Sequence, residues 1–238
     1  MLKQSLTSLR ERTVREFCAC MEFKAFTHIA YEMATDLAKR PDVVGEITIG
    51  YDAFAKEFGI ANRVVNLKEM PKDFARAKEG NFLPMIHQYQ VALFEHIFFD
   101  VLRLILINHP LLLPGKRQVE YSIILKASNK DEIVSQLIDR ELNEVKYKGV
   151  SDWFDYLEKA NSSCKTPAED IARIAEAKAT RDILAHNAGI VNNIYLLKAG
   201  QLARAGLGES IDVRGNYTRD TWQLFFRALL RVLDQLLA

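Results

Sequence analysis

Apolar residues recur along the first 39 positions at steps that are mostly three or four, or their sums. Leu6, Leu9, Phe17, Met21, Ile29, Met33 and Leu37 follow this period, which predicts one long amphipathic helix over residues 3 to 39. Arg40-Pro41 ends it, because proline disfavours helical backbone at the residue before it. The pattern then weakens. Glu46-Ile47-Thr48-Ile49 reads as a short strand, and Tyr51 to Phe58 as a short helix. Met70-Pro71-Lys72-Asp73 opens a further helix with proline in its first turn.

The most apolar segment is a helix predicted from Pro84 to about Asn108. Ile86, Tyr89, Leu93, Ile97, Val101, Leu104 and Ile105 cover more than one of its faces, as expected of a central core helix. Pro110 and Pro114-Gly115 stop it. Asn129-x-x-Glu132 has the spacing of a capping box and begins a helix that runs to Lys148, with Gly149 as terminator. Ser151 is placed to cap a short helix bearing Trp153, Phe154 and Leu157. Thr166-Pro167-Ala168-Glu169 combines a capping hydroxyl, a first-turn proline and a glutamate three residues after the cap. The helix it starts carries Ile171, Ile174, Lys178, Arg181 and His186, and Asn187 and Gly189 are its stop signals. Gly206-Leu207-Gly208 marks a turn, and Ile211 to Arg214 reads as a short strand. Thr218 or Asp220 begins a last helix with Trp222, Phe225, Leu229, Val232 and Leu236. The sum is an all-α bundle with at most a small β-hairpin.

Composition narrows the function classes. The 238 residues suffice for one large domain, or for a domain with an extension. The formal net charge is +1, so any contact with nucleic acid must use a local basic patch. Residues 101 to 113 form the longest apolar stretch, but Arg103, Asn108, His109 and Pro110 interrupt it, so no membrane association is expected. The first twenty residues carry Lys3, Arg10, Arg12 and Arg15 and do not read as a secretory signal. Three cysteines, Cys18, Cys20 and Cys164, lack a C-x-x-C pair and read as reduced thiols of a cytoplasmic protein. His87, His96 and His109 do not form a ligand cluster, and neither a metal nor a cofactor is expected.

The chemistry concentrates in Arg181-Asp182-Ile183-Leu184-Ala185-His186. A guanidinium can hold a phosphate oxygen through two N–H bonds. An imidazole moves a proton near neutral pH. The two positions lie roughly 140° apart on an ideal helix, so one chain presents them toward the edges of a cleft.

The run from Arg181 through His186, Asn187, Gly189 and Leu196 resembles the HEPN superfamily, whose motif reads R-x4-6-H. The longer run resembles the RiboL-PSP-like HEPN branch, in which R-N/D-x-x-x-H-N-x-G precedes a short apolar segment. The earlier Phe94-Glu95 and Leu106-Ile107-Asn108-His109-Pro110 also resemble that branch. The likeness spans roughly residues 84 to 238. It implies a HEPN-type helical domain over residues 81 to 238, with residues 1 to 80 as a helical extension.

The resemblance further implies a metal-independent endoribonuclease in a toxin–antitoxin or defence setting. Arg181 and His186 are then catalytic, and RNA is cleaved to a 2′,3′-cyclic phosphate and a 5′-hydroxyl. Two copies of the motif helix are expected to meet in a homodimer and line one groove. Asp182, Asn187 and Glu95 are supporting candidates. Asp182 would orient Arg181 or a second copy's histidine. Asn187 would hold the phosphate or fix the histidine tautomer. Glu95 needs a partner on an apolar helix, and Arg181 is one candidate. The alternative is a non-catalytic HEPN-like module that binds RNA, a nucleotide or a nucleotidyltransferase partner. A helical dimer that only scaffolds an assembly is a third class.

Overall fold

Helix α1 (Leu2–Lys39) stops where Arg40-Pro41 requires. This computed structural model describes residues 2–50, 57, 59–115, 121–214 and 216–238, and the helix expected over residues 51 to 58 falls outside them apart from Glu57. After α1 come strands β1 (Glu46–Ile49) and β2 (Arg63–Asn66), then α2 (Met70–Ala77) and α3 (Leu83–Asn108). The remaining helices are α4 (Tyr121–Lys126), α5 (Lys130–Lys146), α6 (Val150–Ala160), α7 (Ala168–His186), α8 (Asn193–Ala199) and α9 (Tyr217–Leu237). None of the described helices is long and apolar enough to cross a membrane.

The backbone divides into two compact units. Met1–Cys18 and His87–Ala238 make one, and Ala19–Ile86 makes the other, so α1 and α3 each contribute to both. In the larger unit α3 is the central element. Val91, Phe94, Ile97, Phe98, Val101, Leu102, Ile105 and Leu106 are all buried, on several faces of the helix. Leu6, Leu9 and Phe17 of α1, Ile138, Leu142 and Val145 of α5, Trp153 and Phe154 of α6, and Phe225 and Leu229 of α9 close the same cluster. The Phe94 and Phe225 rings stack with centroids 4.6 Å apart, and Phe98 meets Phe154 at 4.9 Å. Burying each such side chain stabilises the fold by about 1.5–3 kcal/mol. A second, smaller cluster of Ala179, Ile183, Val191, Tyr195, Ala199 and Ile211 fixes α8 against the end of α7.

In the smaller unit β1 and β2 pair antiparallel, with Ile47 opposite Val65. The expected strand thus finds its partner in Arg63–Asn66, which the sequence pattern had not marked. Proline lies within the first two positions of α2, as predicted.

Several helix ends differ from expectation, each for a local reason. The helix expected from Pro84 begins one residue earlier, at Leu83, with Pro84 in its first turn, but it has no free start. A π-turn (Lys78–Phe82) carries α2 directly into α3, and the Leu83 N–H donates to the Lys78 carbonyl. A wider turn at this point accommodates a residue without an N–H donor. Helix α5 ends at Lys146 rather than Lys148. Gly149 then becomes the cap of α6 in place of Ser151, because Asp152 Oδ2 accepts from its N–H at 3.0 Å. Thr166 does not cap α7. Pro167 is the capping residue, its carbonyl accepts from Ile171, and the buried Thr166 hydroxyl has no hydrogen-bond partner. The Asn129 cap is as expected: its Oδ1 accepts from the Glu132 N–H at 2.9 Å. Residues 211 to 214 form no strand. Only Ile190 and Ser210 bridge, since Arg204 takes the Asp212 carbonyl and the Asp212 side chain turns back on the Arg214 N–H. The three cysteines are free thiols, Cys20 and Cys164 buried and Cys18 exposed. Burial pushes the Cys164 thiol up to about 11.

Candidate functional site

The last turn of α7 and the loop after it build the site. Ile183 anchors this turn in the smaller cluster at 3% exposure. Its carbonyl accepts both the Asn187 and Gly189 N–H groups at 2.9 Å, which ends the helix at His186. Gly189 has φ +76°, and a Cβ there would sit 3.4 Å from Leu184 Cδ2. A side chain at 189 would therefore be strained and crowded at once. The chain then runs beside residues 208–211: Val191 N–H donates to the Glu209 carbonyl and Ile211 N–H to the Gly189 carbonyl, each at 2.8 Å. Asn192 caps α8 by accepting from the Tyr195 N–H. Helix α8 is thereby held beside the exit of α7.

A cavity of about 320 Å³ opens between them. His186, Asp182, Asn187, Asn192, Tyr195 and Lys198 are among its lining residues. His186 is exposed to it. Asn187 spends its amide on the loop, Nδ2 donating to the Ile190 carbonyl at 2.6 Å. Arg181 is not among the lining residues. It points to α3, where Nη2 donates to Glu95 Oε1 at 2.7 Å. The structure thus joins Glu95 with Arg181, and His186 with Asp182 and Asn187. The angular separation of positions 181 and 186 is the reason the two groups face different neighbours.

A chain of alternating charges connects the two sides. Lys198 and Lys178 both bond Asp182 Oδ2 at 3.2 Å. Lys178 also lies 3.6 Å from Glu95 Oε1, which holds Arg181. Arg181 Nε is 3.4 Å from Asp182 Oδ1, an ion-pair distance without hydrogen-bond geometry. Burial pushes the Asp182 carboxyl up, but Lys178, Arg181 and the hydrogen bonds from Lys178 and Lys198 outweigh it and hold the group below its usual range. The ladder Lys198–Asp182–Lys178–Glu95–Arg181 carries three cations and two carboxylates. Its surplus positive charge borders the His186 cavity.

Sequence reasoning read Lys178 only as a helix position. The spacing of Lys178 and Asp182 at i,i+4 was a readable signal. Lys198 was not readable, because it reaches Asp182 through the packing of α8.

A second polar cluster lies on the buried side of α7. Glu176 is 5% exposed and accepts four hydrogen bonds. Thr180 Oγ1 (2.7 Å), Tyr195 OH (3.0 Å) and Arg204 Nε (2.9 Å) donate to Oε1, and Tyr217 OH (2.7 Å) to Oε2. The Arg204 guanidinium lies 3.5 Å from the Tyr217 ring centroid. Burial first, and Glu176 second, raise the Tyr217 phenol above its ordinary range, against Arg204 and Thr180. This network ties α7, α8 and α9 together and sets the frame on which the His186 cavity stands.

His87 of α3 sits against the same frame. It is fully buried, and Nε2–H donates to the Ala177 carbonyl at 2.9 Å, while Nδ1 has no partner. Burial lowers it to about 4, outweighing the Ala177 bond and Glu176, with Arg204 and Arg181 adding to the lowering. The unfolded chain therefore binds this proton more readily than the folded one. The stabilising contribution is full above pH 6.5 and is lost as the pH falls toward 4. Its size is roughly 3 kcal/mol at most, at about 1.4 kcal/mol per unit. Urea unfolding at several pH values between 4 and 7 should show stability rising with pH, with a shallower rise in His87→Gln. Equal slopes in the two proteins would disprove this role.

Compared with known protein families, with curated proteins and with solved structures, the chain shows no significant match.

Proposed function

We propose that this chain is a metal-independent endoribonuclease of HEPN type. The observation that carries the reading is His186 in a cavity bordered by Lys198, on the same helix as an Arg181 that Glu95 holds in place. His186 takes the proton of a ribose 2′-hydroxyl. The 2′-oxygen attacks the adjacent phosphorus, the P–O5′ bond breaks, and the leaving 5′-oxygen takes a proton from water, so the products are a 2′,3′-cyclic phosphate and a 5′-hydroxyl. Lys198 and Arg181 supply positive charge for the phosphorane-like state. Since Arg181 faces away from the cavity of its own chain, two copies of the motif helix meet and complete one groove. A C2 pair makes such a contact self-complementary. The setting in this reading is host defence or a toxin–antitoxin pair.

One observation favours a second reading. Arg181 is already engaged by Glu95, as a purely structural arginine would be. On that reading the chain is a non-catalytic HEPN-like module that binds RNA, a nucleotide or a nucleotidyltransferase.

Product chemistry separates the two. Purified protein incubated with mixed RNA in excess EDTA should yield fragments with 2′,3′-cyclic phosphate and 5′-hydroxyl ends. Binding of the same RNA without fragments would move the assignment to the second reading. Cleavage that vanishes in EDTA would point to a metal nuclease.

A further inference from the structure

The second half of α1 carries two neighbouring stripes. One is covered within its own unit: Cys20 and Ala38 are buried, and the Tyr31 ring packs 5.3 Å from Phe74 and 6.3 Å from Phe82. The other stripe is exposed, with only the Phe23 ring meeting a neighbouring aromatic, Phe82, at 6.0 Å among the described residues. Ala19, Phe23, Phe26, Ala30, Met33 and Leu37 are all exposed. Phe26 and Met33 each stand 68% open, Phe23 60% and Leu37 52%.

Their steps are four, three, four, three, four. They cover 18 positions in five intervals, so all six stand on one face of the helix, as in a helix that packs along another. Ile29, 50% exposed, widens the same face. Contiguous exposed apolar surface on this scale marks an interaction site.

We infer that this stripe of α1, from Ala19 to Leu37, is a face by which two copies of this chain associate, in addition to any contact made by the motif helix. The occupant follows from spacing, area and charge. A second copy brings the same apolar stripe, so apolar side chains meet apolar side chains along its length. A fully exposed Phe offers about 150–250 Å². The five large side chains, open by half to two thirds, therefore offer on the order of 500 Å² per copy. A symmetric pair buries on the order of 1,000 Å², the lower bound for a specific interface. An antiparallel crossing that sets Phe26 against Ala30 of the second copy brings Glu22 beside Asp36 of the second copy. A parallel, in-register crossing avoids that repulsion and juxtaposes identical layers.

This inference stands without the ribonuclease reading, since it uses neither Arg181 nor His186. Sedimentation velocity of the full chain at tens of micromolar should give at least twice the 27.2 kDa chain mass. Phe26→Glu with Met33→Glu should cut that mass at least in half and weaken association at least 100-fold. Both positions are exposed, so the variant keeps its helix content by circular dichroism. As an independent check, Met33→Cys in a Cys18→Ser background should form an intermolecular disulfide on mild oxidation. Unchanged mass in the double variant together with no cross-link through Cys at 33 would overturn the assignment. A wild-type dimer that survives both would place association elsewhere, with the motif helix the first alternative.

Discussion

On the ribonuclease proposal, His186→Ala is expected to lower the rate of RNA cleavage by about two to four orders of magnitude, the usual contribution of a positioned proton-transfer group. Its side chain is exposed to the cavity and its backbone position is fixed by the Ile183 carbonyl, so the substitution leaves the fold intact. On the same proposal, Arg181→Ala is expected to lower it by about two to three orders of magnitude, the range for removing one group that stabilises developing charge. Arg181→Ala also leaves Glu95, a carboxylate at 7% exposure, with only Lys178 at 3.6 Å. A modest fall in melting temperature therefore accompanies the loss of activity in that variant but not in His186→Ala. Single-turnover kinetics on a defined oligonucleotide, with melting curves of both proteins, make the comparison. Wild-type rates in both variants would remove Arg181 and His186 from the site. A rate loss in Arg181→Ala that is restored by Arg181→Lys would assign the residue to charge rather than to two-pronged phosphate binding.

Glu176→Leu destabilises the protein by about 3–5 kcal/mol, the cost of leaving one side of a buried ion pair uncompensated. Arg204 keeps its place over Tyr217 but loses the carboxylate, and the hydroxyls of Thr180, Tyr195 and Tyr217 lose their shared acceptor. For a chain of this size each kcal/mol moves the midpoint by about 2–4 °C, so the melting temperature falls by about 10 °C. Glu176→Gln retains an acceptor and loses only the charge, and costs less than half as much. The double change Glu176→Leu with Arg204→Leu recovers part of the loss, because both partners of the pair are then apolar. A Glu176→Leu protein that melts with the wild type would show that the network contributes no net stability. Cleavage by Glu176→Gln at near wild-type rate is expected, since Glu176 faces away from the His186 cavity.

Much of the secondary structure was legible because short-range rules govern it. The 3.6-residue period located α1, α3, α5, α7 and α9, and the Asn129 cap and the stop after His186 were read from single residues. Misplaced helix ends share one cause: the residue that caps depends on which side chain reaches a free N–H. Asp152 and Pro167 settled that at Gly149 and Thr166. The period also could not tell which apolar face is covered. Leu6, Leu9 and Phe17 are buried, whereas Ile29, Met33 and Leu37, assigned to the same amphipathic pattern, stand exposed.

Sequence alone picked out Arg181 and His186 and their angular separation, since five positions on a helix have a fixed geometry. It also proposed Glu95 as a partner for Arg181, from the cost of a lone charge on an apolar helix. Tertiary structure decided the rest. It paired Glu95 with Arg181, brought Lys198 of α8 to Asp182, and gathered Glu176, Tyr195, Arg204 and Tyr217 from 42 positions of chain into one buried network. Those contacts span separations at which no local period or cap carries information, and only the packing of α7 against α3, α8 and α9 creates them.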